Sequence, residues 1–397
     1  MEEDGGARLE AEDIEEVIEL GDNSSGDLNG VGGDLDELDI EEGAQVDEAD
    51  VQDNADVIFS KHTDAVFCVR VDPATCARAV TGGQDNRAMV WDVSSANTLF
   101  ECTGHTDSVT SVGFSHDGVY LATADMSGLI KVWEVSSWKE VWAFHCSDIE
   151  WLEWHPMAHV LLVGTSDGDT WMWKIPSGDC KTFQGHGSTV GCGRFLPDGK
   201  RACTGHADGT VKVWDLRTTT CLHSVTGHDG HTADVVAMDC HHDNTIVVTG
   251  SADSTAKLTN TETGKVLATF QCGKPASLET DCVETVGFSQ TQPLVATGSL
   301  SGSLCVWDVP TQVLRHTCPH EAGIVKLRWD SATSMIYTAS LDRVLRLWDA
   351  RTGNIVSQWT GHQGEILDFD IARDGGVLVS TSEDQTARVF SLHELDR

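Results

Sequence analysis

The stretch GHTDSVTSVGFSHDGVYLATADMSGLIKVW, Gly104 to Trp133, decides how the whole chain is read. Its apolar residues fall in three short runs. Val109, Val112 and Phe114 mark a first strand (a), Tyr120 to Ala124 a second (b) and Leu129 to Trp133 a third (c). His116-Asp117-Gly118 makes the turn between the first two, and Glu140 to Phe144 follows as a fourth strand (d). Runs of this length, rich in Val and Thr and punctuated by Gly and Asp, are what an antiparallel sheet with tight turns requires.

The pattern recurs eight times between Lys61 and Arg397, at intervals of 40 to 48 residues. Strand c ends in turn at Trp91, Trp133, Trp173, Trp214, Thr259, Trp307, Trp348 and Phe390. Six residues earlier stand Asp85, Ser127, Asp167, Asp208, Asp253, Ser301, Asp342 and Asp384. A further 22 residues upstream, 23 in the first copy, stand His62, His105, His145, His186, His231, Glu279, His320 and His362. Spacing this strict across weakly similar segments marks a repeat architecture.

The pairs Gly104-His105, Gly185-His186 and Gly361-His362, with Trp91-Asp92, Trp214-Asp215, Trp307-Asp308 and Trp348-Asp349, resemble the WD40 repeat family. That resemblance implies four-stranded blades arranged radially around a channel. It also implies that the recurrent His, Asp and Trp form a hydrogen-bond network inside each blade, satisfying polar groups that burial would otherwise strand. A catalytic reading of the same residues with Thr123, Thr204, Thr249 or Ser380 fails because catalysis needs one site, and the pattern is repeated around the chain. Blades two, five, six and eight depart from the pattern and are expected to be softer or specialised.

Eight a-b-c units are present, and seven are followed by a strand d. The eighth stops at Ser391-Leu392-His393, while Val57-Ile58-Phe59-Ser60 precedes the first His. Pairing that segment with the last strand c closes the ring and leaves no open edge. The expectation is an all-β, eight-bladed propeller over residues 57–397, with seven blades as the alternative, and a monomer.

Net charge is −37, unevenly spread. Residues 1–56 hold 22 acids against Arg8 alone, a net of −21, which leaves −16 for the rest. This segment has no aromatic residue and no Pro, so it is expected to be a disordered acidic tail. Its Ile14, Val17, Ile18 and Leu20 form one apolar cluster suited to a short helix on a partner. No apolar run approaches a membrane span, and the acidic N-terminus is not a secretory signal. Thirteen scattered Cys without a Cys-x-x-Cys argue for reduced thiols in the cytoplasm or nucleus. No phosphate loop, nucleophile elbow or basic stripe is present, so neither enzyme, cofactor nor direct nucleic-acid binding is expected. His223, His228, His231, His241 and His242 are dense, but they fall at repeat positions and are not read as a metal site.

What remains is surface. The family resemblance implies that d–a and b–c loops share one face, the usual partner-binding one. Just before each strand a stand Asp64, Asp107, Asp148, Asp234, Asp281, Glu321 and Glu365, with Asp125, Glu150 and Asp169 expected nearby. The equivalent positions carry no Lys or Arg. A ring of one sign over a channel mouth focuses potential toward a cationic partner. Acidic loops that merely keep the protein soluble are the alternative. Trp151 occupies a position where other copies have Cys68, Ser111 or Ala237. Beside Glu150 it suits an Arg or Lys at the mouth, or else it packs against the adjacent blade.

Three segments narrow the resemblance: Glu150-Trp151-Leu152-Glu153-Trp154-His155-Pro156, Gly168-Asp169-Thr170-Trp171-Met172-Trp173-Lys174, and Leu347-Trp348-Asp349-Ala350-Arg351-Thr352-Gly353. They are similar to the angio-associated migratory cell protein family. Its fungal relatives look like dedicated chaperones that hold one basic large-subunit ribosomal protein, and its animal members are associated with cell migration and angiogenesis. The resemblance therefore implies a basic, ribosomal-protein client. Trp214-Asp215-Leu216-Arg217 and Trp348-Asp349-Ala350-Arg351 also fit the Trp-Asp-x-Arg pattern of cullin-ligase receptors, and a cortical signalling scaffold is a third reading.

Overall fold

The computed structural model describes residues 52–272 and 281–392. The acidic segment up to Val51, Glu279 and His393 lie outside the described residues. Thirty-two strands form eight four-stranded antiparallel sheets, seven of them in simple a-b-c-d order. The a strands begin at Val66, Val109, Ile149, Val190, Val235, Val283, Ile324 and Ile366. Each sheet buries one apolar face against the next blade, and the eight clusters between blades are the core.

The eighth sheet takes its outer strand from the other end of the chain. Val57–Phe59 pairs antiparallel with Ala387–Ser391, Val57 opposite Val389 and Phe59 opposite Ala387. Phe59 is 1% exposed and stacks on Trp91 of the first blade, centroids 4.7 Å apart. The residues just before this strand, assigned from sequence to the acidic tail, are bound to the ring. Asn54 N–H donates to the Thr360 carbonyl, Thr360 N–H donates to Asn54 Oδ1, and the Arg388 guanidinium donates to Asp53. The ordered propeller therefore starts before residue 57. Short polar side chains there meet loop groups that would otherwise lack partners.

The expected blade network is intact in some blades and rewired in others. In the first, His62 Nδ1 lies 3.0 Å from Asp85 and Nε2 2.9 Å from the Thr81 hydroxyl, but the buried Trp91 N–H finds no partner. The fifth and eighth keep the His–Asp–hydroxyl chain through His231, Asp253 and Thr249, and through His362, Asp384 and Ser380. In the second, the carboxylate comes from Asp125, not from position 127. Asp125 is fully buried, pairs with His105 at 2.9 Å and accepts from Ser127 Oγ. It was expected on the partner-binding rim and is instead part of the blade. Trp133, Trp214, Trp307 and Trp348 each donate to the strand-b Thr of their own blade.

Four blades depart further. The third has Val163 where the others carry Thr or Ser on strand b, so neither His145 nor Trp173 has a hydroxyl to meet, and His145 is exposed. Asp167 is held instead by Thr165 Oγ. In the fourth, His206 occupies Thr204, and His186 is displaced to the surface between Asp208 and Lys212. In the seventh, His320 meets Thr338, but Asp342 is taken by Arg346. The sixth, lacking the acid, uses Cys272 on Thr297 and a Ser299–Ser301 pair.

Two measurable consequences follow. Phe59→Ala removes the ring bridging the last blade to the first and should cost roughly 3–5 kcal/mol, read as a lower urea midpoint. A loss below about 1 kcal/mol, the size of an ordinary substitution, would contradict the closure. Burial pushes the His206 and His320 imidazoles down to about 4, against some compensating hydrogen bonding. The unfolded chain binds those protons near pH 6.5 and the folded chain does not. Stability should therefore decline as pH falls from 6.5 to 4. His206→Gln should flatten that decline, and a urea midpoint constant across the window would refute it.

Candidate functional site: an acidic rim over a charge-balanced bore

Strand direction alternates within each sheet, so the d–a loops and b–c turns share one end of the toroid. One bond repeats in all eight blades and ties each b–c turn to the loop before its own strand a. The N–H of the residue after strand b donates to the carbonyl just before strand a: Gln84 to Ala65, Met126 to Ser108, Ser166 to Asp148, Ala207 to Thr189, Ala252 to Asp234, Leu300 to Cys282, Leu341 to Gly323, Glu383 to Glu365, at 2.8–3.0 Å. This places Asp64, Asp107, Asp148, Asp234, Asp281, Glu321 and Glu365 on a single rim, from seven blades. Asp64, Asp107, Asp148, Asp234 and Glu321 are exposed; Asp281 and Glu365 are half-buried. Asp281 also caps its own blade, accepting from Ser301 N–H and Oγ. Asp169 is half-buried and accepts from Gly185 N–H.

Several cations near this end are engaged within the blades, while Lys61 in a d–a loop and Arg343 in a b–c turn are exposed. Two residues before the strand-c Trp position stand Lys131, Lys212, Lys257, Arg346 and Arg388. Lys131 pairs with Glu140, Lys212 with His186, Lys257 with the carbonyls of Asp229 and Gly230, Arg346 with Asp342, and Arg388 with Asp384 and Asp53. The rim therefore keeps an excess of negative charge, seven carboxylates against the exposed Lys61 and Arg343.

Every strand a carries a bulge at its second residue, where pairing skips to the third. A bulge re-aims the extra side chain. Two bulge residues are acids, Glu150 and Glu284; Glu150 is exposed, and burial with the neighbouring Asp148 raises its pKa. Glu284 follows Val283 as Glu150 follows Ile149, an equivalence the repeat already shows, but it was not among the expected rim acids. Trp151 is not at the mouth in the manner of a cation-binding ring. Its N–H donates to the Val190 carbonyl at 2.9 Å, and its indole fills the space left by Gly164 and Gly193. It is a wedge between blades three and four, because the bulge turns position 151 sideways.

Below the mouth lies a cavity of about 720 Å³ lined by strand a residues. Its wall carries Arg70, Arg194, Lys326 and Arg328 with Glu153, Asp239 and Glu284, and Asp368 and Asp370 are the ion-pair partners of three of these cations. Arg194 pairs with Glu153, Arg328 with Asp370, and both Arg70 and Lys326 with Asp368. These acids also accept the outward N–H groups of the neighbouring inner strand. Asp368 takes Val69, Asp370 takes Val71, Glu153 takes Phe195 and Asp239 takes Phe288. The inner edge of the ring is therefore satisfied by its own side chains, as a buried edge must be. With four cations against five acids the bore is nearly charge-balanced; the rim is not.

The dense histidines do not converge. His223 faces the Glu262 carbonyl, His228 is exposed, His231 sits in its blade network, and His241 lies tilted against its neighbour His242. Arg217 and Arg351 lie in c–d turns at the end opposite the rim, where Arg351 is held by Asp349 of its own turn.

Comparison with known proteins agrees with this architecture. The model of the WD domain, G-beta repeat matches residues 56–92, 96–134, 178–215, 219–260, 264–308, 311–349 and 353–391. The third blade, whose network lacks its hydroxyl, lies between the second and third matches. The chain is 48% identical over 354 residues to the angio-associated migratory cell protein of Homo sapiens, covering 87% of this chain and 82% of that one. It is 26% identical over 399 residues to the ribosome assembly protein SQT1 of Saccharomyces cerevisiae, covering 92% and 90%. The solved structure of Chaetomium thermophilum Sqt1 bound to the N-terminus of the ribosomal protein L10 superposes with a TM-score of 0.78 at 24% identity, over 86% of this chain and all of that one, a likeness of fold. With a closed ring of eight four-stranded blades and seven matched repeats, the chain belongs to the WD40 repeat family.

Proposed function

We propose that this protein is a non-enzymatic chaperone that uses its acidic rim to hold a basic client, a ribosomal protein, before ribosome assembly. The observation that carries the reading is the convergence of carboxylates from seven blades on one end, where they outnumber the cations not already paired within blades. Such a surface attracts Arg- and Lys-rich chain from a distance and discriminates against acidic partners. The nearly balanced bore beneath it gives a cationic chain little electrostatic reason to thread further, so the client stays on the face. The similarity to a ribosome assembly protein, and to a fold whose relative is seen with the N-terminus of a ribosomal protein, supports the choice of client class.

The acidic segment preceding Gln52 has a part in the same reading. Gln52 and Asn54 are hydrogen-bonded to Thr360, in the d–a loop of the last blade. The residues before them carry a large excess of Asp and Glu and would add negative charge to the encounter. The cytoplasm, where ribosomal proteins are made, is the compartment this role requires.

Reversing four rim charges together (Asp107→Lys, Asp148→Lys, Glu150→Lys and Asp234→Lys) should weaken binding of an Arg/Lys-rich ribosomal-protein N-terminal peptide by more than about tenfold near 0.1 M salt, since each exposed like-charge contact costs of order 1 kcal/mol or less. Thermal unfolding should be little changed, because these side chains are exposed or part-exposed. Wild-type affinity should itself fall steeply as salt rises. Retention of wild-type affinity by the fourfold variant would remove the rim from the mechanism.

A further inference from the structure

At the end of the toroid opposite the rim, the a–b turns of blades two and three meet. Each of His116, Asp117 and His159 offers one ligand atom within 4.8 Å of the other two. His159 Nε2 lies 2.8 Å from Asp117 Oδ2, and the two imidazole centroids are 5.6 Å apart. The other oxygen of Asp117 accepts from Ser115 Oγ at 2.8 Å and Val119 N–H at 3.2 Å. Those bonds orient the carboxylate and leave Oδ2 facing the histidines. Tyr120 packs edge-on to the His159 ring, centroids 4.8 Å apart, and limits its rotation.

One atom in this cluster is unexplained by the protein alone. His116 Nδ1 is buried and has no hydrogen-bond partner. An unmet buried polar atom costs about 1–3 kcal/mol, and native structures rarely keep one without a reason. Two imidazoles and one oriented carboxylate form a donor set that suits zinc and its neighbours in the transition series, with a fourth position left for water. Magnesium and calcium prefer all-oxygen shells. The bonds from Ser115 and Val119 to the far oxygen are the kind of support a ligating carboxylate needs.

We propose that His116, Asp117 and His159 form a zinc-class metal site that ties the second blade to the third. The position has a physical motive. The third blade is the one whose network lacks a strand-b hydroxyl, and Trp154 N–H donating to the Gly113 carbonyl at 2.8 Å is the neighbouring polar tie across this junction. A metal bridging turns on both blades would brace it. The two histidines are 43 positions apart in sequence, so nothing in a linear motif reveals them.

The test uses the full chain, stripped of metal, with millimolar Mg2+ present so that its many carboxylates do not bind zinc diffusely. Zn2+ titrated calorimetrically should bind with one equivalent, Co2+ should give the visible bands of a low-coordinate nitrogen–oxygen site, and zinc should raise the melting temperature. His116→Gln and His159→Gln should each weaken zinc binding at least tenfold. Asp117→Asn, at an exposed position where folding is not at stake, should weaken it and abolish the zinc-dependent rise in melting temperature. Absence of a saturable one-equivalent event in the wild type, or wild-type affinity in Asp117→Asn and His159→Gln, would overturn the proposal.

Discussion

The pairing of Val57–Phe59 with the last strand c is the constraint on which the rest of the molecule depends. Eight separate sheets would each expose an inner and an outer edge. Closing the ring turns eight half-buried faces into eight shared cores and fixes all eight a strands in one direction around a single bore. The contacts that seal it are among the most distant in the chain. Asp368 and Asp370 accept the N–H groups of Val69 and Val71 across a separation of 299 residues. Pairings this non-local form late and slowly, because the loop must close before any contact rewards it.

Closure also divides the carboxylates into two populations with different work. Inside the bore, Asp368 is deeply buried, yet Lys326 and Arg70 hold its pKa below the usual value, while burial brings Lys326 down to about 8. These acids complete the inner edge and would be costly to remove, since each leaves a charge and a backbone donor unpaired. On the rim, Asp107, Asp148 and Asp234 are exposed and pair with no cation among the described residues. They contribute little to folding, and an unpaired exposed charge is free to serve an incoming partner. Composition alone does not distinguish the two groups; burial and partners do.

Much of this was readable from the chain. The eight-fold period, the strand positions and the closing role of residues 57–59 follow from spacing, because a propeller repeats one unit and register errors would break every copy. The rim carboxylates followed for the same reason. What sequence could not resolve was substitution within a neighbourhood. Asp125 replaces the carboxylate expected at 127, His206 displaces His186, and Arg346 intercepts Asp342; each exchange depends on which side chain reaches the buried hydroxyl first. For Trp151 two positions were open, the mouth or the seam with the next blade, and it lies in the seam. Its direction is set by a bulge at Glu150, which shows only in the pairing with strand b. The charge belt of the bore was hidden as well, because its ion pairs join residues of different blades.

Hydrogen–deuterium exchange of the full chain, with and without an Arg/Lys-rich ribosomal-protein peptide, tests the central claim most directly. The account expects added protection in the d–a loops around residues 106–108, 146–150, 232–234 and 363–365, with the a–b and c–d turns at the other end unchanged. Protection confined to that other end, or no protection at low salt, would contradict it.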